Sequence, residues 1–336
     1  MNTKTHRLQT KVRRIRVLAP IALAAATLVG PAVVQAQEFP SKPVRVIVPY
    51  SAGGPTDLMA RAVARYMASA TGQPVTVENR GGAGGTIGTA LVARSAPDGY
   101  TLVVNGTLGH ALGPMLRPKT AGYSVSDMSA VGVFSRSSNF LVVANSLNVK
   151  SVADLIARAK ADGGKLTFSS AGPASNPHLG AELFKSLAKI DMEHVAYKGV
   201  SDTVADLVSG RVPVAFASPT LAVPLIKDNR VVALATTGEK RMKGWEKLPT
   251  IAEAGVPGFV FESTYILVAP GKTPAPVMQR LNALLQQALS DPETVASLDK
   301  LGLEVMKNSA AQADRLVQEE LDRWGGIIKR LNLSLE

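Results

Sequence analysis

The chain has 336 residues, no cysteine, 37 basic and 26 acidic side chains and a formal net charge of +11. Without cysteine, disulfides and thiol chemistry are excluded, and an oxidising compartment is tolerated. Lys4, Arg7, Lys11, Arg13, Arg14 and Arg16 crowd the start without an acid among them, so the remainder carries only +5 and a nucleic-acid role loses its main support.

An apolar run from Val17 to Val34 follows these cations, interrupted only by small residues, Pro20 and Pro31, and it ends in Val34-Gln35-Ala36. A basic start, an apolar middle and small residues at the cleavage positions describe a secretory signal peptide, residues 1–36, cut after Ala36. The competing reading, a retained membrane anchor, is weaker because the run is Ala-rich and barely long enough to span. Arg13-Arg14 matches a twin-arginine pair only loosely. The 300 residues that remain suffice for about two domains. No other segment approaches a membrane span, so no stable insertion is expected once the signal is removed.

Glu38-Phe39-Pro40-Ser41-Lys42-Pro43 is an extended lead-in, its two prolines barring helix. Val44 to Val48, β-branched apart from Arg45, suits a buried parallel strand, and Gly53 and Gly54 free the backbone for a tight turn. Thr56 and Asp57 are placed to cap a helix that continues through Leu58, Met59, Ala62, Val63, Tyr66 and Met67. Pro74 to Asn79 reads as a second strand, Gly81 to Gly85 as a turn, Thr86 to Ser95 as a helix, and Tyr100 to Asn105 as a third strand after Pro97-Asp98-Gly99. Strand, helix, strand, helix, strand implies a parallel doubly wound layer, in which ligands sit beyond the carboxyl ends of the strands. That places Asn105, Gly106 and Thr107 on the same rim as Ser51, Ala52, Gly53 and Gly54.

The second half repeats the pattern: helices at Val152 to Ala161, Pro177 to Ala188, Ser201 to Ser209 and around Leu221 to Asp228 alternate with strands at Lys165 to Ser170, Glu193 to Tyr197, Val212 to Ala217 and Val231 to Thr236. Two further apolar strands, Leu141 to Ala144 and Tyr265 to Ala269, bracket this set. Run side by side, they would carry the chain into the second lobe and back, with the helices Ala275 to Ser290 and Ala310 to Leu331 returning to the first. The expected organisation is lobe 1 at 37–141 plus 264–336 and lobe 2 at 142–263. Two crossings make a hinge, and the cleft between lobes is a usual seat for a small ligand.

At the Gly53-Gly54 turn the unpaired N–H groups of a helix start would face outward and favour a carboxylate or phosphate; a plain strand-to-helix connection fits the same residues. Ser169 to His178 is the most polar loop of the second lobe, with Pro177 pre-set for a helix start and Ser175 or Asn176 as its cap. It reads either as an opposing anion seat, with hydroxyls from Ser170 and Ser175, or as a capped helix only. Gly82-Ala83-Gly84-Gly85-Thr86-Ile87-Gly88 fails the dinucleotide fingerprint because Ile87 stands where its third glycine belongs. Gly271-Lys272-Thr273 likewise ends no phosphate loop. His178 and Glu182 share a helix face, but without a second His or any Cys no metal site is expected. There is no G-x-S-x-G, no H-E-x-x-H and no cysteine, so catalysis and cofactors are not expected; a Ser-His-Asp set assembled only in space remains the hydrolase alternative. Tyr197-Lys198-Gly199 and Ser218-Pro219-Thr220 follow second-lobe strands and are candidate cleft groups.

Taken together, Phe39-Pro40-Ser41-Lys42-Pro43, Val48 to Gly54 with Asp57, Glu78-Asn79-Arg80 with Gly82 to Gly85, Pro97 to Leu102, His178-Leu179 with Glu182-Leu183-Phe184, His194-Val195 with Tyr197-Lys198-Gly199, Asp206-Leu207 with Gly210, Pro249-Thr250 with Ala252 to Gly255, and Ala269-Pro270 resemble the periplasmic substrate-binding proteins of tripartite tricarboxylate transporters, the Bug family. The resemblance runs in order over nearly the whole mature chain. It implies an α/β, two-lobed periplasmic binding protein of the type II, Venus flytrap kind, each lobe a mostly parallel sheet flanked by helices, with two hinge crossings. It further implies a monomeric, non-enzymatic receptor that captures a small mono-, di- or tricarboxylate in the periplasm and delivers it to membrane transporter subunits. An orphan sensor of the same fold signalling to a sensor kinase is the alternative. Mapped onto this chain, the ligand loops are Tyr50, Ser51, Ala52, Gly53, Gly54, Thr56 and Asp57 with Asn105, Gly106 and Thr107. Facing them are Ser170, Ala171, Gly172, Ser175 and His178, with Tyr197 and Ser218 nearby. The chain departs from the family's usual residues at Thr264, Ile266, Ala174, Gly81 and Asp202, which alters the hinge-side wall of the cleft.

Overall fold

The computed structural model describes residues 39 to 331, so the expected signal peptide and its cleavage point lie outside the described residues. In chain order the elements are β1 (Val44–Val48), α1 (Pro55–Thr71), β2 (Val75–Asn79), α2 (Thr86–Ala93), β3 (Thr101–Gly106), α3 (Thr107–Leu116), β4 (Met128–Ser138), β5 (Phe140–Ala144), α4 (Val152–Ala161), β6 (Thr167–Ser170), α5 (Asn176–Ala188), β7 (Glu193–Ala196), α6 (Val204–Ser209), β8 (Val214–Ala217), α7 (Pro219–Lys227), β9 (Val231–Thr236), β10 (Glu262–Pro270), α8 (Ala275–Ala288), α9 (Pro292–Lys300), β11 (Glu304–Val305) and α10 (Ala310–Leu331).

Two sheets form. The first runs β11-β4-β10-β3-β1-β2 and the second β7-β6-β8-β5-β9. β1 pairs in parallel with β2 and β3, and β6 with β7 and β8. Parallel strands covered by helices on both faces need near-continuous apolar sequence, which β1 and β3 have. β10 and β5 run antiparallel in their sheets. The architecture is thus the two-lobed periplasmic binding protein fold, with two mixed sheets flanked by helices.

The two bracketing strands do not run side by side. Leu141 to Ala144 belongs to β5, between β8 and β9 of the second sheet, whereas β10 lies between β3 and β4 of the first. The partner of β10 is β4, which the sequence hides because glycine and serines interrupt its apolar residues. The chain therefore changes sheet at Asn139, two residues before the expected 141/142 boundary, and returns between Thr236 and Glu262. The crossings are bonded to each other: Asn139 N–H donates to Thr237 Oγ1 at 2.8 Å, Thr237 N–H to the Asn139 carbonyl at 2.9 Å, and Phe261 N–H to the Thr237 carbonyl at 2.8 Å. Helix α3, with Gly109, Gly113 and Pro114 inside it, is equally concealed.

The core is not divided cleanly between the sheets. Leu108 and Leu112 of α3 and Trp324 of α10 join the cluster built on Phe168, Phe184, Phe216, Phe259 and Phe261 of the second half. Trp324, 2 % exposed, meets Phe261 edge-on with centroids 5.8 Å apart. The C-terminal helix thus packs on β4 and α3 and also reaches the return crossing, beyond the first-lobe role expected of it.

The loop between β6 and α5 is held from behind by histidines. Ser170 Oγ accepts from Gly172 N–H at 3.0 Å and lies 2.6 Å from His194 Nε2. His178 Nδ1 accepts the Ala174 N–H at 3.2 Å, which leaves the ring proton on Nε2. The two imidazoles pack on each other with centroids 4.2 Å apart. Burial, with Lys185 and the neighbouring imidazole adding to it, pushes the His178 pKa down to about 3, and burial pushes His194 down to about 4. His110, buried in the first half, is pushed down to about 4 by burial alone.

Two predictions follow from this packing. Trp324→Ala should cost about 3–5 kcal/mol of unfolding free energy in a denaturant titration, and a loss under about 1 kcal/mol would show that α10 is peripheral. His110 and His178 should stay neutral from pH 8 to pH 5 in imidazole NMR spectra. An unfolded imidazole gains its proton near 6.5, so each ring's contribution to stability is complete above about pH 6.5 and declines as pH falls toward 4. Asp314 and Glu320, whose pKa values burial raises, oppose that trend. Either ring titrating near pH 6.5 would contradict the burial seen here.

Candidate functional site

Where the two sheets face each other, a narrow cavity is lined by Tyr50, Ser51, Gly54, Pro55, Thr56, Asp57 and Gly106 from the first sheet's loops and by Ala171, Ser175, Asn176, Pro177, Val200, Phe216 and Ser218 from the second. Asn139 lines it from the outgoing crossing, and Ser263 and Tyr265 from the start of β10 just after the return crossing. None of these is a lysine, arginine or histidine. The centre of a water molecule has about 40 Å³ in which to move there, room for about three waters at the ~10–15 Å³ that each requires.

Four helices begin at this cavity. The residues that precede them, Gly54 before α1, Gly106 before α3, Ser175 before α5 and Ser218 before α7, all line it, and none makes a side-chain capping bond. Of the helices that start elsewhere, α4 and α9 are capped by Ser151 and Asp291, whereas α2, α6 and α8 also lack a side-chain cap bond, so what distinguishes the four is that they converge on one cavity. An uncapped helix start presents free N–H groups and the positive end of the helix dipole. Here two such ends come from each half of the molecule.

The two halves touch around the rim. Ser51 Oγ donates to Asp202 Oδ2 at 2.6 Å, and Ser201 Oγ to the Ala52 carbonyl at 2.9 Å. A Cβ on Gly84 would stand 1.7 Å from the Pro173 carbonyl oxygen, so backbone meets backbone. The glycine run that imitates a dinucleotide fingerprint is thus a contact surface between the halves.

Asp57 is the one ionised group at the cavity and it is heavily engaged. Its carboxylate accepts from Arg61, from Asn79 Nδ2 at 3.0 Å and from Gly53 N–H at 3.0 Å. Burial would raise its pKa, but the bonds from Arg61, Gly53 and Asn79 outweigh burial and hold it below the usual carboxylate range. Thr56 and Asp57 do not cap α1 from outside: Pro55 already opens the helix, and both residues lie in its first turn.

Several expected ligand groups stand behind the cavity wall. The Gly53 N–H is spent on Asp57, and Gly53 at φ +81° serves the turn. Asn105 Oδ1 accepts the Tyr50 hydroxyl at 2.9 Å and its own neighbour's N–H, that of Gly106, at 2.7 Å, while Thr107 is buried below it. The Ser170 hydroxyl is tied into its turn beside His194 and is 1 % exposed. Gly172 accepts the Ser175 hydroxyl at 2.6 Å and approaches Gly84, so it shapes the loop. His178 supports that loop from the core, and Tyr197 donates its hydroxyl to Asp206. Ala52 contributes its carbonyl to the rim contact. The cavity also includes residues with no signal of their own as site residues in the sequence: Asn139, Val200, Phe216 and Ser263. Only the pairing of the sheets brings them there. Among the described residues no cluster of acidic and histidine side chains has the arrangement to hold a metal ion, and no helix is long and apolar enough to cross a membrane.

Residues 59–333 match the family model of the tripartite tricarboxylate transporter family receptor. The chain is 32 % identical to the protein BugT of Bordetella pertussis over 96 % of this chain and 99 % of that one. Its fold superposes with a TM-score of 0.83 on an R. palustris protein solved with adipate, at 34 % identity over 88 % of this chain and 99 % of the other. With MatC from Rhodopseudomonas palustris, solved with bound malate, the score is 0.82 at 31 % identity over 86 % of this chain and all of the other. The chain belongs to the receptor family of the tripartite tricarboxylate transporters, as a Bug-type substrate-binding protein.

Proposed function

We propose that the protein is a periplasmic receptor that encloses a small organic acid between its two lobes and presents it to a membrane transporter. The observation that carries this reading is the convergence of four uncapped helix starts on one cavity that holds no cationic side chain. A carboxylate placed there exchanges its water shell for oriented N–H groups, the ends of α1, α3 and α5 each contributing about 0.3–1 kcal/mol, or ~2 kcal/mol where partly buried, and α7 less because it opens with Pro219 and its Leu221 N–H already donates to the Ser218 carbonyl. The relatives solved with adipate and malate support an acid as the ligand, and the family supports a transporter as the recipient.

Lobe 1 supplies Tyr50, Ser51, Gly54, Thr56 and Gly106 to the acid, and lobe 2 supplies Ala171, Ser175 and Ser218. We place the functional boundaries of lobe 2 at Asn139 and between Thr236 and Glu262, where the chain changes sheet. With the halves touching, the site is closed over from both sides, so an acid reaches it when the lobes part and is retained when they close.

Calorimetry on residues 37–336 with mono-, di- and tricarboxylates and their methyl esters tests the reading. The acids should bind and the uncharged esters should not; equal binding of both, or silence from folded protein, would overturn it. Gly84→Ala should hold the lobes apart, because its Cβ has no room against Pro173. We expect at least tenfold weaker binding, about 1.4 kcal/mol or more, and loss of the ligand-induced compaction seen by small-angle scattering in the parent. Unchanged affinity would mean that closure does not use this contact.

A further inference from the structure

The hinge-side end of the cavity has a chemistry different from its rim. Asn139, 2 % exposed, gives its Nδ2 to Ser263 Oγ at 2.9 Å, and its Oδ1 has no partner. Phe140 pairs with Ala217 in antiparallel register, so Asn139 and Ser218 are the next pair across the two strands. The Ser218 hydroxyl, also buried, likewise has no partner. Both residues line the cavity. Helix α7, which starts at Ser218, has less to offer an anion than its position suggests. Pro219 brings no N–H, and the Leu221 N–H already donates to the Ser218 carbonyl at 3.0 Å.

Resting on the carboxylate-receptor reading, we propose that this Asn139–Ser218 end receives a neutral hydrogen-bond donor carried by the far end of the acid, a hydroxyl or a carboxamide, and selects against a second carboxylate. A donor from the ligand satisfies an amide oxygen that is otherwise buried and unpaired. A second carboxylate would face that oxygen's lone pairs and would be desolvated without a countercharge, since no cation lines the cavity. Asn139 also ties the two crossings together through Thr237, so a ligand bonded to it engages the segment about which the lobes move.

The test is calorimetry with acids of matched length: succinate, succinamate and 4-hydroxybutyrate, then glutarate, glutaramate and 5-hydroxyvalerate. At one length or the other, the half-amide or hydroxy acid should bind about tenfold tighter than the dicarboxylate, the usual scale for one buried unpaired group. Ser218→Ala and Asn139→Leu should bring that ratio toward one. Asn139→Leu disturbs the crossing as well. Ser218→Ala removes a hydroxyl with no partner inside the protein, so its effect is read on the ligand side alone. A dicarboxylate that binds as tightly as its partners at both lengths, or a ratio that both variants leave unchanged, overturns the selectivity while leaving the receptor reading intact. Silence from every acid overturns both.

Discussion

An organic anion in a narrow protein cleft must be compensated for the water it loses, and on the proposed reading that compensation comes from backbone. Gly54, Gly106, Ser175 and Ser218 stand where four helices begin, and none of them makes a side-chain capping bond. This constraint explains much of the local sequence. A capping side chain at those positions would fill the space and occupy the donors, so glycine stands at two of them and two serines that make no cap bond at the others. An arginine in the cavity would hold any anion strongly, whereas on the proposed reading oriented amides select a group of defined size.

The scaffold behind the loops is built to keep those amides in place. On the first side Asp57 draws Gly53, Asn79 and Arg61 into one network and so fixes the opening turn of α1. Asn105 does the same for the start of α3 by accepting from Tyr50 and Gly106. On the second side Ser170, His178 and His194 brace the turn that leads into α5. Of these, Asp57, Asn105, Ser170 and His178 read as ligand groups in the sequence because they are polar and adjacent to the loops. Their donors and acceptors are consumed within the protein, which is how a loop made of glycine and serine acquires a single shape.

Closure depends on a different set of contacts. The lobes meet where Gly84 admits Pro173 and where Ser51 and Ser201 bond across the gap to Asp202 and Ala52. The crossings carry the other end of the motion. Asn139 and Thr237 bond to each other, while Trp324 of the last helix packs on Phe261 beside them. Packed side chains as well as chain connectivity therefore join the two lobes at the crossings.

The repeated alternation of apolar strands with glycine turns and amphipathic helices was enough to read two α/β lobes, and the glycines after Val48 marked the rim that carries the first helix start. Local signals of that kind depend on neighbours in sequence, which is why α4, β9 and α10 are readable to the residue. β4 and α3 were not, because glycine, serine and proline mask their periodicity and only burial against β10 and α10 makes them regular. The pairing of β10 with β4, with β5 given to the other sheet, was decided by long-range register, which no local window contains. The same holds for the cavity. Sequence identified polar residues at strand ends, but whether each faces the cleft or the scaffold was decided by which hydrogen bonds the folded chain had already made. Asn139 and Ser263, some 120 positions apart, share a wall only because the two crossings are bonded together.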